Sequence, residues 1–308
     1  MIIKLPNTTT TEVGKKLVEL RKESGVVALG RVLTLLVVTE KGHEDEAINA
    51  AKEASHEHPC RVIVFASNSK KKKTGLDAEL RLGSDAGASE IVILETAGEL
   101  IHEKTSLVSN LLLPDSPIVT FWPDEFPGNL STTSLGKISQ RRITDSANAD
   151  KPFEALEELA EFYTDGDTDF AWTRLTYWRE QLVAVFNSVK NPKVKSITVE
   201  SSLKSPRSYL LAAWLGLAFK QKAVLKGHKG TEGIVSVTIE TTEGKIRISR
   251  TKADEIAELD QPNERPQNIN LPHRKLADCL AEELRRMDAD EVYGETLTKG
   301  LRYVELPK

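Results

Sequence analysis

Two tryptophans, a tyrosine and two arginines fall within eight residues of one segment, and their chemical types indicate a binding surface. They are Trp172, Arg174, Tyr177, Trp178 and Arg179. Such residues dominate binding hot spots because tryptophan and tyrosine offer large contact areas and arginine offers a forked set of donors. A core helix anchored by large aromatic side chains would show the same composition, and this alternative stays open.

An apolar stripe at gaps of three and four residues runs through this segment and predicts one amphipathic helix over residues 166–189. The stripe consists of Leu175, Trp178, Leu182, Val185 and Val189. Trp172 extends the stripe by a turn. Asp167 and Asp169 stand at its start, where acidic side chains can cap free N–H groups. They are also close enough in sequence to hold the side chain of Arg174.

We predict that this helix contacts a partner protein. On a helical wheel Trp172 and Trp178 should pack inward and hold the helix in place. Arg174 and Arg179 flank the stripe and can reach the surface while their stems cover apolar area. The candidate partner-binding residues are Asp167, Asp169, Trp172, Arg174, Trp178 and Arg179.

A second candidate site surrounds the start of an apolar helix predicted over residues 205–219. Free N–H groups at a helix N-terminus, together with the cationic side chains of Lys204 and Arg207, could hold a phosphate group. Ser205 followed by Pro206 is also a plain N-cap with proline at the first helical position, and we favour this interpretation. The candidate anion site therefore consists of Lys204, Ser205 and Arg207, and we favour it less than the interpretation of Ser205 as an N-cap.

The sequence carries neither of the common nucleotide-binding fingerprints, GxGxxG and GxxxxGK[ST]. His56, His58 and Cys60 alternate as metal ligands on a strand do, but Pro59 and the helix-to-strand junction favour a polar turn. We find no arrangement typical of a catalytic triad. The sequence therefore predicts no catalytic residue, no metal site and no cofactor.

Composition limits the classes of partner. The chain has 308 residues, 39% of them hydrophobic and 29% charged, which is typical of a globular protein. A net charge of −4 provides no basic field for nucleic acid. The sequence contains two cysteines, no apolar core of a signal peptide and no apolar run near the ~18–20 residues of a membrane span. We therefore expect a cytoplasmic protein that binds neither nucleic acid nor membrane.

The pattern of elements predicts an α/β fold with two α/β domains, residues 1–165 and 166–308. Continuous apolar runs in the first half, separated by helical patterns, predict a mainly parallel sheet. These runs cover residues 32–38, 61–66, 91–94 and 118–122. In the second half, residues 234–240 and 245–250 alternate between apolar and polar and predict an antiparallel hairpin in a mixed sheet.

Six segments, in order along the chain, resemble the glucose-6-phosphate dehydrogenase assembly protein family, OpcA. They are EHPCRVIV (57–64), DAGASEIVIL (85–94), LLLPDSPIVTFWP (111–123), QRRITD (140–145), GDTDFAWTRLTYWRE (166–180) and CLAEELRRMDADEVYGETL (279–297). The segments span both halves of the chain, and GDTDFAWTRLTYWRE is the most specific of them.

The resemblance implies a non-catalytic bacterial partner that assembles or allosterically activates glucose-6-phosphate dehydrogenase and so supports NADPH production in the oxidative pentose phosphate pathway. The family brings no established catalytic residues. The alternative is an enzyme or metabolite sensor that binds a sugar phosphate or nucleotide at the helix start near Ser205. Cys60 and Cys279 fall in different predicted domains, so we expect no disulfide and no redox switch.

Overall fold

The computed structural model describes residues 1–24, 32–87, 89–188, 193–230, 233–250 and 255–306. The chain divides into two compact units. The first unit comprises Met1–Thr144 and Lys275–Ala289, and the second comprises Asp145–Arg274 and Asp290–Lys308.

Strands and helices alternate along most of the described chain. The strands are β1 (Ile2–Leu5), β2 (Leu33–Glu40), β3 (Cys60–Asn68), β4 (Gly75–Arg81), β5 (Glu90–Ala97), β6 (Ile118–Trp122), β7 (Arg141–Thr144), β8 (Asp167–Asp169), β9 (Val194–Ser201), β10 (Ala223–Gly227), β11 (Ile234–Thr241), β12 (Lys245–Arg250), β13 (Ile256–Asp260), β14 (Gln267–Asn270) and β15 (Val304–Glu305). The α-helices are α1 (Thr10–Ser24), α2 (Glu44–Ala54), α3 (Lys104–Val108), α4 (Pro152–Glu161), α5 (Phe170–Thr173), α6 (Thr176–Ser188), α7 (Pro206–Phe219), α8 (Leu276–Leu284) and α9 (Glu291–Glu295).

The sheet of the first unit is mainly parallel, as predicted. Its strands follow the order β1-β4-β5-β3-β2-β6-β7. Strands β5, β3, β2, β6 and β7 run parallel, and β4 and β1 join antiparallel at one edge. Strands β2, β3, β5 and β6 contain nearly continuous apolar runs because both faces of the sheet are buried there, and β2 is buried from Leu33 to Thr39.

A buried ionic cluster lies beside β3 and β5. The Nη2 of Arg21 and the Nη2 of Arg61 donate to Oε2 of Glu90 at 2.6 and 3.1 Å. Arg61 Nη1 also donates to the backbone oxygen of Leu111 at 2.6 Å. Glu90 is 1% exposed, so its charge depends on these donors.

The sheet of the second unit is mixed and contains the predicted hairpin. Its order is β14-β13-β12-β11-β9-β10-β15, with β9, β10 and β15 parallel and the other neighbours antiparallel. In the β11–β12 hairpin, Val237 faces Ile248 and Ile239 faces Ile246. All four side chains are buried, because alternation places them on the face that packs inward.

The prediction of a single helix over residues 166–189 is wrong. These residues form β8, the short helix α5, a turn at Arg174 and Leu175, and then α6. Asp169 is extended, and its carboxylate caps α5. Leu175 N then donates to the oxygen of Trp172, three residues back, at 2.9 Å, and this tighter bond ends α5 before α6 begins. Val189, at the end of the predicted stripe, lies outside the described residues.

The compact units divide the chain after Thr144, whereas the sequence analysis placed a domain boundary at residue 165. Helix α8 belongs to the first unit, where it packs against α2. Arg141 of β7 also forms a buried ion pair with Glu283 of α8. It stays a prediction that residues 1–165 and residues 166–308 form separate domains.

Both cysteines therefore lie in the first compact unit, Cys279 within its second stretch, Lys275–Ala289. That they occupy different domains stays a prediction. Cys60 and Cys279 form no disulfide and are fully buried, and the Cys60 Sγ lies 3.3 Å from Ser89 Oγ. Buried thiols behave as small hydrophobic groups and react poorly.

We expect both thiols to resist a soluble thiol reagent in the folded protein and to react together after unfolding in urea. Intact mass after alkylation measures this, and the Cys60→Ala variant, with one reactive thiol, assigns the signal. A Cys60–Cys279 disulfide, or rapid labelling of the folded protein, would contradict the expectation.

Candidate functional site

A buried carboxylate fixes the start of α5 in the second unit. Asp169 is fully buried and accepts three hydrogen bonds. Ser146 provides two of them, from its backbone N at 2.8 Å and its Oγ at 2.7 Å. Ala171 N provides the third at 2.8 Å and so caps the helix. The charge is stabilised by these donors, which tie residue 146 to the start of α5.

Arg174 lies in the turn between α5 and α6 and pairs with Asp145. Its Nη1 and Nη2 donate to Oδ1 and Oδ2 of Asp145, both at 2.6 Å, in a bidentate geometry. The side chains are 15% and 3% exposed. The sequence analysis linked Arg174 with Asp167 and Asp169, and it missed Asp145. The Asp167 carboxylate accepts a bond from Thr164 N at 2.9 Å.

The two tryptophans pack inward, as the helical wheel indicated. Trp172 is 1% exposed, and its Nε1 donates to Oδ2 of Asp290 at 2.8 Å. The guanidinium carbon of Arg179 lies 3.8 Å from the centroid of the Trp172 ring. Trp178 is 4% exposed, with the guanidinium carbon of Arg250 at 5.6 Å from its ring centroid. Each ring thus carries a cation on its face.

Burial divides the six candidate partner-binding residues into two groups. Asp167, Asp169, Trp172 and Trp178 are at most 5% exposed. Arg174 and Arg179 are half-buried and retain access to solvent. The four buried residues hold the segment in position, and the two arginines are those that a partner can reach.

Four arginines line one cleft in the second unit, which we call the arginine cleft. Its lining consists of Arg174, Leu175, Trp178, Arg207, Gly233, Ile234, Arg250, Pro272, His273 and Arg274. The arginines come from four places in the chain: the α5–α6 turn, the first turn of α7, the end of β12, and the segment just before α8. Leu175, Trp178 and Ile234 are buried and form its apolar part.

Backbone carbonyls and aromatic rings hold the cleft arginines in place. Arg250 Nη1 donates to the oxygen of Leu271 at 2.7 Å. Arg274 Nη1 donates to the oxygen of Thr173 at 2.9 Å, and its guanidinium carbon lies 5.2 Å from the centroid of the Tyr177 ring. These contacts fix the guanidinium positions and reduce the loss of side-chain entropy on binding.

Of the candidate anion site, Arg207 enters the cleft lining, whereas Lys204 is exposed and lies outside it. Ser205 is the N-cap residue of α7 with Pro206 following, as favoured from the sequence. Its hydroxyl forms no capping hydrogen bond. The Ser205 side chain is 3% exposed, and its Oγ has no hydrogen-bond partner within the described part of the chain.

Sequence reasoning missed Asp145, Arg250, His273 and Arg274. A local pattern gives no signal for them, because each reaches the α5–α6 segment only through the fold. One indirect signal existed: Asp145 ends the segment QRRITD, and Asp290, which binds Trp172, lies in residues 279–297. Contacts of the second unit thus join three of the segments that carried the family resemblance.

The first unit has the strand order of a dinucleotide-binding sheet, which reverses between β2 and β6. At such a point a pyrophosphate needs free N–H groups at the following helix N-terminus. Here Gly42 N donates to the Glu44 carboxylate, and the first turn of α2 carries Glu44, Asp45 and Glu46. Asp124, just after β6, accepts from Thr39 Oγ1 at 3.1 Å. These carboxylates would repel a pyrophosphate, so the residues do not fit a dinucleotide.

Within the described ranges no cluster of three or more histidine, cysteine, aspartate or glutamate side chains is suited to hold a metal ion. In the same part of the chain no helix combines the length and the apolar character needed to cross a membrane.

Two family models match the chain in succession. Residues 51–161 match the N-terminal domain of the glucose-6-phosphate dehydrogenase subunit, OpcA_G6PD_assem. Residues 165–297 match the C-terminal domain of the same family, OpcA_G6PD_C. The two matches meet between residues 161 and 165, close to the domain boundary predicted from the sequence. No curated protein matches the sequence at a significant level.

Solved structures provide distant similarities. KijD10, a 3-ketoreductase from Actinomadura kijaniata, is 8% identical, with 89% of this chain and 98% of that chain covered and a TM-score of 0.48. The scyllo-inositol dehydrogenase from Lactobacillus casei is 12% identical, with coverages of 89% and 95% and a TM-score of 0.48. At these scores the similarity carries no argument about activity.

We expect Arg174→Ala to destabilise the fold by about 3–5 kcal/mol, because it removes the cation facing the buried Asp145 carboxylate. Urea unfolding measures the change. Lys299→Ala, which breaks the exposed pair of Lys299 with Glu295, is the matched control and should cost at most about 1 kcal/mol.

The double variant Asp145→Asn, Arg174→Met should recover part of the loss, because no isolated buried charge remains. If Arg174→Ala costs no more than the Lys299 control, the pair with Asp145 does not stabilise the α5–α6 turn.

Proposed function

The chain belongs to the glucose-6-phosphate dehydrogenase assembly family, OpcA, and we propose that it is a cytoplasmic, non-catalytic partner that binds this dehydrogenase and raises its activity. The observation that carries the proposal is the succession of the two family matches over residues 51–297. Through the dehydrogenase, the protein would support NADPH production in the oxidative pentose phosphate pathway.

The residues of the first unit support a non-catalytic role. Its sheet reverses strand order where a dinucleotide would bind, but acidic side chains occupy the start of α2 and the end of β6. A hydride-transferring enzyme needs its cofactor phosphates held at that point. The chain therefore acts on the dehydrogenase instead of duplicating its reaction.

Activation requires that the chain bind the active state of the dehydrogenase more tightly than the idle state. A partner that bound the active and idle states of the dehydrogenase equally well would shift neither population. The bound surface must therefore be one whose shape changes between the two states of the enzyme.

We place the contact surface on the exposed face of α6. Glu180, Val183, Ala184 and Asn187 are exposed there, at the spacing of one helical face. Val183 is 46% exposed. Arg179, one turn before Val183, lies over the Trp172 ring at the border of this face. An exposed apolar side chain beside an arginine held in place is typical of an interface anchor.

A second candidate function, recognition of a phosphorylated small molecule, is favoured by one observation, the arginine cleft. It does not compete with the first, because the cleft and the exposed face of α6 involve different side chains.

Mixing the chain with glucose-6-phosphate dehydrogenase should give a joint peak in size-exclusion chromatography at micromolar concentrations and a changed rate of NADP reduction. The chain alone should show no turnover. Separate elution together with an unchanged rate would refute the proposed partner.

Val183→Glu should weaken the complex by about tenfold or more, because it places an unpaired charge at the centre of the contact surface. Val292→Glu is the matched control, since Val292 is a 50% exposed valine on α9 of the same unit. Titration of each variant with the dehydrogenase, after a thermal melt confirms folding, measures the effect. Equal affinities of the two variants would show that the dehydrogenase contacts another surface.

A further inference from the structure

We propose that a cavity on one face of the first unit's sheet binds an uncharged polyhydroxylated ring, that of a monosaccharide or of a nucleoside. We call it the sheet cavity, and its lining includes Lys4, Lys41, Glu44, Glu79, Ile93 and Glu95. Its volume of about 330 Å³ lies in the range of small-ligand sites. Such binding goes beyond association with the dehydrogenase and does not depend on it.

The strand register places the sheet cavity on a single face of the sheet. Ala66 of β3 pairs with Glu95 of β5, and Glu95 pairs with Asp77 of β4. Residues paired in register share a face, so these three side chains form one row across three strands. The neighbouring row on the same face consists of Ile93, Glu79 and Lys4. All of these residues line the cavity.

The floor of the sheet cavity is apolar, whereas its walls are charged. Ala66 and Ile93 belong to the lining and are only 1% and 8% exposed, so they lie at the bottom. Pro6 is exposed at the rim. An apolar floor with polar groups around it is the usual composition of a small-molecule site, because the carbon atoms of a ring can pack on the floor.

The carboxylates in the walls are ionised and can only accept hydrogen bonds. Glu95 pairs with Lys41 Nζ at 2.5 Å and accepts from Asn68 Nδ2 at 2.9 Å. Burial would raise the pKa of Glu95, but these two donors bring it below its ordinary value. A hydrogen bond from the backbone N of Asn7 lowers the pKa of Asp77. A ligand must therefore bring hydrogen-bond donors of its own to these walls.

Cations alternate with the carboxylates and supply donors. Arg81 Nε donates to Glu79 Oε1 at 2.7 Å, and Lys4 Nζ lies 3.8 Å from Glu79 Oε2. An ammonium group carries three N–H donors and a guanidinium group five, more than these contacts use. A hydroxyl group both donates and accepts, so it matches walls of this kind. Phosphate and carboxylate oxygens only accept, and they do not match the carboxylates.

The charges around the sheet cavity cancel, which favours an uncharged ligand. The charged residues of the described lining are three cations, Lys4, Lys41 and Arg81, and four acids, Glu44, Asp77, Glu79 and Glu95. A fourth cation, Lys71, lies outside the lining and pairs with Asp77 at 3.1 Å. An anion would gain no net attraction here, and the carboxylate of Glu44 in the first turn of α2 would repel it.

Titration of the full chain with glucose and with adenosine, followed by ligand-observed NMR, tests the proposal. We expect an uncharged ring to bind at millimolar concentration or below. Tighter binding of adenosine would identify a nucleoside as the source of the ring, and tighter binding of glucose would identify a monosaccharide.

A phosphorylated counterpart should compete poorly. Glucose 6-phosphate should displace glucose, and adenosine 5′-monophosphate should displace adenosine, about tenfold less well than the unphosphorylated molecule does, because the wall carboxylates repel the phosphate. Displacement reports only on the site that holds the uncharged ring, so phosphate bound elsewhere on the chain does not affect the result.

Glu44→Ala and Glu95→Gln should each weaken binding of the uncharged ring by about tenfold, because each removes a charged acceptor. Glu46→Ala is the matched control for Glu44→Ala. Glu46 lies in the same first turn of α2, is exposed, and is not part of the lining. Its replacement should leave the affinity unchanged. The two cavity variants are made separately, so that a folding defect in one leaves the other to decide.

The absence of binding of both glucose and adenosine at millimolar concentration would overturn the proposal. Displacement by the phosphorylated molecules as efficient as by the unphosphorylated ones would overturn it too, as would an equal loss of affinity in Glu46→Ala. The dehydrogenase is absent from these assays, so their result is independent of the test of the partner.

Discussion

Two buried carboxylates, Asp145 and Asp169, determine where the aromatic and basic segment of the second unit lies. The carboxylate of Asp169 accepts three hydrogen bonds, two of them from Ser146. The carboxylate of Asp145 accepts hydrogen bonds from both terminal nitrogens of Arg174. An ionised carboxylate away from water requires such partners, so neither residue can move without leaving a charge unsatisfied. The pair of acids therefore joins residues 145–146 to α5 and to the turn that follows it, and the position of that turn directs Arg174 into the cleft.

Aromatic rings contribute to the stability of the cations in this region. Arg179 lies over Trp172, Arg250 near Trp178, and Arg274 near Tyr177. An aromatic face attracts a cation but, unlike a carboxylate, carries no net charge of its own to cancel it. Contact with such a ring therefore stabilises the position of a half-buried guanidinium group. The same arrangement serves both proposed sites, because α6 contributes Trp178 to the cleft and Val183 to the exposed face.

The two units differ in the charged side chains that their described residues bring to a helix start. In the first unit the strand order reverses beside an acidic helix start, with Glu44, Asp45 and Glu46 in the first turn of α2. In the second unit a helix start carries Arg207 and adjoins three further arginines. A topology that supports dinucleotide binding in other proteins is thus combined with residues that oppose it, which shows why function must be argued from side chains and not from the fold alone.

The sequence by itself determined the buried strands and the β11–β12 hairpin, because continuous apolar runs and strict alternation reflect burial on two faces or on one. It also determined that Trp172 and Trp178 face inward, since both lie on the apolar stripe. It did not determine the break at Arg174, because the stripe continues across it at helical spacing, and the tertiary contact of Asp169 with Ser146 decides where α5 begins. Nor did it determine the arginine cleft. Arg207, Arg250 and Arg274 come together because the second unit's fold brings α7, the end of β12 and the segment before α8 to one place, and such long-range proximity leaves no local periodicity in the chain.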